Sequence, residues 1–173
     1  MTTIELRSRG NAGSSTSGGG LFSFPHPVNE VSARIVAGTV VVLAIVTIAL
    51  DLPWMTAVIA YGFVARVLTG PTLSPLGQVV TRWVTPRLPI APKFVPGPPK
   101  RFAQGIGAAF SVTAAVLALG FGNTDGAYVV LGLLAVAAAL EAVFALCLGC
   151  KVFALLIKTG LIPEQVCARC VGV

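Results

Sequence analysis

The sequence predicts an all-α membrane protein with four transmembrane helices and an amphipathic interfacial helix between the second and third. Three observations carry this. Charged residues make up 10% and hydrophobic residues 55% of the 173-residue chain, and mean hydropathy is +0.90. A soluble domain carries about 25% charged residues, so a chain this poor in charge cannot coat itself with a water-facing surface. The apolar residues also gather into four stretches, and the basic residues avoid two of the connections between them.

Residues 1–23 come first. They hold Glu5, Arg7, Arg9 and the run NAGSSTSGGG, with no apolar core of a signal peptide. Such composition buries nothing and is expected to be disordered. The membrane domain is expected over 24–158, with helices near 31–50, 53–69, 102–121 and 127–157. A helix rises ~1.5 Å per residue, so about 20 residues cross a ~30 Å hydrocarbon core. The first and third stretches fit. The second is short, and leans on Pro53–Trp54 at one end and a snorkelling Arg66 at the other. The fourth is too long, so its last turns project beyond the membrane, followed by a tail over 159–173.

Orientation follows from the connections. Asp51-Leu52-Pro53 and Gly122-Asn123-Thr124-Asp125-Gly126 contain no Lys or Arg, and all twelve basic residues lie elsewhere. Lys and Arg accumulate on cytoplasmic loops. Both termini and the central loop are therefore expected on the cytoplasmic side.

The central loop carries Leu73, Leu76, Val79, Val80, Trp83 and Val84 at helical spacing, which predicts an interfacial helix over about 74–85. Five prolines between Pro89 and Pro99 then favour an extended path. That segment reads as a stiff connector or as a basic docking strip for lipid headgroups or a partner.

Two sets of residues could carry chemistry. Glu141 and Arg66 fall at similar depth, with Arg34 near the inner end of the first span. Intramembrane charges are costly and usually pair, so an ion pair of Glu141 with Arg66 or Arg34 is expected. The four cysteines form two C-x-x-C units, Cys147/Cys150 and Cys167/Cys170, with sixteen residues between them. Residues i and i+3 share a helix face. Three readings follow: a thiol–disulfide or persulfide relay, a four-thiolate zinc or iron–sulfur site, or small apolar packing residues. Lys151 is placed to favour a thiolate. On a continuous helix Glu141 and Cys147 point apart, which argues against their acting together. A break at Gly160 and a short helix from Pro163 would return the second pair to the first. The single histidine, His26, reads as an interfacial anchor beside Phe22 and Phe24.

Gly105, Gly107 and Gly132 point to close helix packing. No phosphate-binding loop, dinucleotide motif, Ser-His-Asp set or nucleic-acid module is present. A transporter is disfavoured, since no broken helix pair or inverted repeat is evident.

The segments HPVNE (His26–Glu30), ARVLTGPTLSPL (Ala65–Leu76), PKFVPGPPKRFAQ (Pro92–Gln104) and LEAVFALCLGCK (Leu140–Lys151) together resemble a bacterial membrane family known as domain of unknown function 4395. The resemblance spans roughly Phe24 to Cys170. It implies a four-helix membrane domain associated with thioredoxin-like and sulfurtransferase partners, and it implies no established activity.

The expectation is therefore an inner-membrane protein in thiol redox or sulfur transfer, with Cys147 and Cys150 as working dithiol and Cys167 and Cys170 as resolving pair. The alternative is a non-enzymatic scaffold or complex subunit whose four cysteines bind zinc or an iron–sulfur cluster. Membrane lipids and self-association are expected in either case.

Overall fold

The computed structural model describes residues 28–70, 73–87, 94–95 and 97–161. His26, segment 1–23, and Cys167 and Cys170 with the hairpin expected to return them lie outside those residues. The chain begins with strand β1 (Val28–Asn29), which pairs antiparallel with β2 (Phe94–Val95). This two-residue ladder ties the entry of the first helix to the central loop.

Helix α1 spans Glu30–Ala49. Asn29 caps it by accepting from the Val31 N–H at 3.0 Å, and Glu30 in the first turn complements the positive end of the helix dipole. A tight turn at Asp51, in left-handed conformation (φ 48°), leads to α2 (Met55–Thr69). The central loop contains α3 (Pro75–Val79), capped by Ser74. It runs on as a π-helical turn over Val80–Val84 and a 3-10 turn over Thr85–Arg87. Ser32 of α1 meets Thr85 at 2.9 Å, which fastens this segment to the bundle.

Helix α4 spans Gly97–Ala115 and ends in a π-helical turn over Val116–Gly120. It starts well before the expected position, because Pro98 and Pro99 fall in its first turn, where backbone N–H groups need no acceptor. The prolines begin the helix here; the extended path expected as far as Pro99 stops short. Helix α5 spans Thr124–Phe144, capped by Asn123.

The single helix expected over 127–157 is two. After Phe144 the chain passes through Ala145, in left-handed conformation (φ 56°), and α6 (Leu148–Lys158) follows. The Ala145 and Leu146 N–H groups both donate back to the Leu140 carbonyl, the latter at 3.2 Å, which closes the last turn of α5. No glycine or proline marks the break. Packing imposes it: α6 turns onto the first half of α4, where Phe153 and Ile157 bury against Phe102.

Helices α1, α2, α4 and α5 form an antiparallel bundle. Ala37, Val40 and Ala44 of α1, Ile59 and Phe63 of α2, Ala114 and Ala118 of α4, and Leu131, Leu134 and Ala138 of α5 make its core. Small residues dominate inside, whereas Val42, Ile45, Val58, Tyr61, Leu119, Val129 and Val136 face outward. That arrangement is the reverse of a water-soluble bundle and resembles helix packing in lipid. Buried Thr47, Thr56 and Thr69 return their hydroxyls to Leu43, Pro53 and Ala65 carbonyls, so none of these three is orphaned. Three helices, Glu30–Ala49, Gly97–Gly120 and Thr124–Phe144, are long and apolar enough to cross a membrane; Met55–Thr69 is a shorter apolar helix.

Candidate functional site: a dithiol at the start of α6

The break after Phe144 decides where the cysteines go. Cys147 is the N-cap residue of α6, in extended conformation (φ −82°, ψ 100°), and Cys150 lies in the first turn. An N-cap residue and the third residue beyond it sit side by side. Both are free thiols, Cys147 buried and Cys150 half-buried. The expectation that Cys147 lies within a continuous helix is thus corrected: it stands at a helix N-terminus, where the backbone dipole favours a thiolate.

α6 is held against α4 by close contact. A Cβ on Gly149 would come within 2.5 Å of the Ala103 Cα, so only glycine permits this approach. The Phe102 and Phe153 rings stack at 5.5 Å between centroids, tilted by 52°.

The two sulfurs are electrostatically unequal. The Cys150 thiol donates to the Cys147 sulfur, and this holds Cys147 below its ordinary thiol range. Burial and the Glu141 carboxylate oppose the shift; Lys100 supports it. Cys150, as donor, is pushed well up. The cation acting on the pair is Lys100 of α4 rather than the neighbouring Lys151.

The charged neighbours correct a second expectation. Glu141 pairs with Lys100, Nζ to Oε1 at 2.5 Å, and not with Arg66 or Arg34. The early start of α4 explains this, since it turns Lys100 into the bundle, where it is 7% exposed. Arg34 instead donates to the Ala142 and Val143 carbonyls at 3.0–3.1 Å, closing the C-terminus of α5. Arg101 donates to Val67 O at 3.1 Å in the last turn of α2. A cation is favoured at each of those helix ends. Arg66 lies over the Phe63 ring at 4.5 Å, and its Nε and Nη1 are buried without an acceptor among the described residues.

Two cavities meet at Cys147. A groove of about 160 Å³ runs past Glu30, Pro99, Lys100, Cys150 and Lys151. A larger cavity of about 320 Å³ lies inside the bundle, lined by Phe63, Arg66, Gln104, Glu141 and Gly149 among others. Among the described residues, Cys147 is the one lining both. The break therefore brings Cys147 and Glu141 to a common cavity, although a continuous helix would point them apart. A thiol there is reachable from the groove while resting against an apolar interior.

Of the glycines expected to mediate packing, Gly107 does so: a Cβ there would collide with the Phe63 ring. Gly105 and Gly132 meet nothing within 4 Å. Among the described residues no group of three or more His, Cys, Asp or Glu side chains could hold a metal. A four-thiolate site would need Cys167 and Cys170.

The fold and site together define a helical bundle with an apolar exterior and a half-sheltered dithiol at one end. The chain belongs to the family DUF4395, domain of unknown function, whose model matches residues 28–158. No curated protein and no solved structure matches the chain.

Proposed function

We propose that this is a four-span inner-membrane protein with both termini in the cytoplasm, working in thiol–disulfide exchange or sulfur transfer at the cytoplasmic face. One observation carries the reading: two free thiols stand unequally at the N-terminus of α6, Cys147 as its N-cap and Cys150 inside its first turn. That is the asymmetry an attacking and a resolving thiol require. The basic residues at one end of the bundle support the orientation, and the small-inside, large-outside packing supports a lipid surround.

In exchange, the Cys147 thiolate attacks a disulfide of a thioredoxin-like partner. A mixed disulfide forms, the partner's own S–S bond breaks, and its leaving sulfur takes up a proton. Cys150 then gives up its proton and attacks the Cys147 sulfur. The partner leaves as a dithiol, reduced by two electrons, and Cys147–Cys150 is left as a disulfide. With a persulfide-bearing sulfurtransferase the same thiolate attacks the outer sulfur. Cys147 then carries the persulfide and the partner leaves as thiolate, with no net change in electrons. Cys167 and Cys170 would accept from the first pair.

Replacing the resolving thiol tests this. Full-length Cys150→Ser protein mixed with an oxidised thioredoxin-like protein should accumulate a mixed disulfide through Cys147, read by mass spectrometry on non-reducing gels. Cys147→Ser should accumulate none. Equal trapping by the two variants would sink the reading. The spacing of the four cysteines supports a second reading, a membrane scaffold or complex subunit binding zinc or an iron–sulfur cluster. About one zinc, or one cluster's iron, per chain by elemental analysis would favour it.

A further inference from the structure

The cavity inside the bundle holds a charge problem the dithiol does not explain. Arg66, in the last turn of α2, is 6% exposed. The Phe63 ring covers the face of its guanidinium, and the edge is left with Nε and Nη1 lacking an acceptor. The carboxylate on the same cavity, Glu141, is engaged by Lys100. Glu141 also acts on Arg66, so two buried cations share one carboxylate, and an excess of buried positive charge is costly. The Gln104 Oε1 on the same cavity also lacks a donor. The remaining wall is apolar and reaches the middle of α1 and α5 at Val40 and Leu133.

We propose that this cavity binds an oxyanion, with Arg66 as its charge partner and Gln104 accepting from a hydroxyl on the ligand. The group is a phosphate, either the headgroup of an anionic lipid or free hydrogen phosphate. A guanidinium stays charged when buried and donates well to phosphate oxygens. A protonated phosphate oxygen or a headgroup hydroxyl supplies the donor for Gln104. The apolar depth toward Val40 and Leu133 has room for the start of an acyl chain. Cys147 lines the same cavity, but the contacts proposed here are to Arg66 and Gln104 and use neither thiol.

Full-length protein in phosphatidylcholine nanodiscs tests it, with binding read by native mass spectrometry and by the shift in unfolding temperature. One arm titrates dioleoyl-phosphatidylglycerol and the other inorganic phosphate. One of these should bind saturably, at least tenfold tighter in the native protein than in Arg66→Gln, with Arg66→Lys intermediate. Ala137→Phe fills the apolar wall and leaves Arg66 in place. It should expel the lipid and spare free phosphate, which separates the two sources. Cys150→Ser, whose side chain does not line this cavity, should bind as the native protein does. Binding of neither probe, or binding indifferent to Arg66, would overturn the site while leaving the dithiol reading intact.

Discussion

Lys100 and Glu141 lie 41 positions apart in sequence and meet at 2.5 Å, joining the first turn of α4 to the last turns of α5 beside Cys147. Both are largely buried, so each is the other's principal compensation. Removing one partner of such a pair typically costs about 3–5 kcal/mol, because the survivor stays buried and charged. Lys100→Met should therefore lower the unfolding temperature sharply, and Lys100→Met/Glu141→Gln should recover most of the loss. A double variant as unstable as the single one would mean that packing, rather than charge, accounts for the effect.

The same pair bears on Cys147. Three residues and burial act on its sulfur: the Cys150 thiol lowers first, burial raises, Glu141 raises, Lys100 lowers, and the Cys150 backbone N–H lowers last. Glu30 and Lys151 lie along the same groove. The folded thiol titrates below its ordinary value of 9.0. The stabilisation from its thiolate is therefore full above about pH 9 and is lost as pH falls through the lower, folded value. Alkylation by iodoacetamide should stay fast below pH 9. In Cys150→Ala the half-point should move up, since the donor is gone; in Glu141→Gln it should move down. A pH profile of alkylation, read by mass, checks both signs.

Glycine positions give a paired test. At Gly149 a Cβ would meet the Ala103 backbone, and α6 would have to lift from α4. Overpacking of this kind costs about 1–3 kcal/mol. Gly149→Ala should destabilise the protein and blunt the reactivity of Cys147. Gly105→Ala, on the same α4 but with nothing within 4 Å, should stabilise by up to ~1 kcal/mol from helix propensity alone. Equal effects at the two sites would contradict the close α4–α6 contact.

These relationships were unevenly legible in the sequence. The helices around Val40, Phe63, Ala114 and Leu131 follow from apolar runs longer than a soluble core needs, so composition was enough. The break at Ala145 was not legible, because Phe144-Ala145-Leu146-Cys147 contains no residue that ends a helix by its own preference. It arises from a contact between Gly149 and Ala103, which no local pattern encodes. The same holds for Lys100. Its partner depended on whether Pro98 and Pro99 stop a helix or start one, and only the start position decides that. The C-x-x-C unit was visible at once, but the inequality of its thiols depends on the break.

The orientation of the bundle is the last point open to direct measurement, and the dithiol supplies the probe. Cys147 and Cys150 stand at the end where Arg34, Arg101 and Lys151 gather, and Asp51 and Tyr128 meet at the other end through a 2.6 Å hydrogen bond. If basic residues mark the cytoplasmic side, a membrane-impermeant maleimide should leave Cys150 unlabelled in right-side-out vesicles and label it in inverted ones. A cysteine placed at Asn123, in the opposite turn, should show the reverse. The experiment is best made on a background with Cys167 and Cys170 replaced by serine, so that only the α6 pair and the reporter react. Labelling of Cys150 from outside would place the dithiol among oxidants rather than cytoplasmic reductants. Cycling with a cytoplasmic partner would then fail together with the assigned topology.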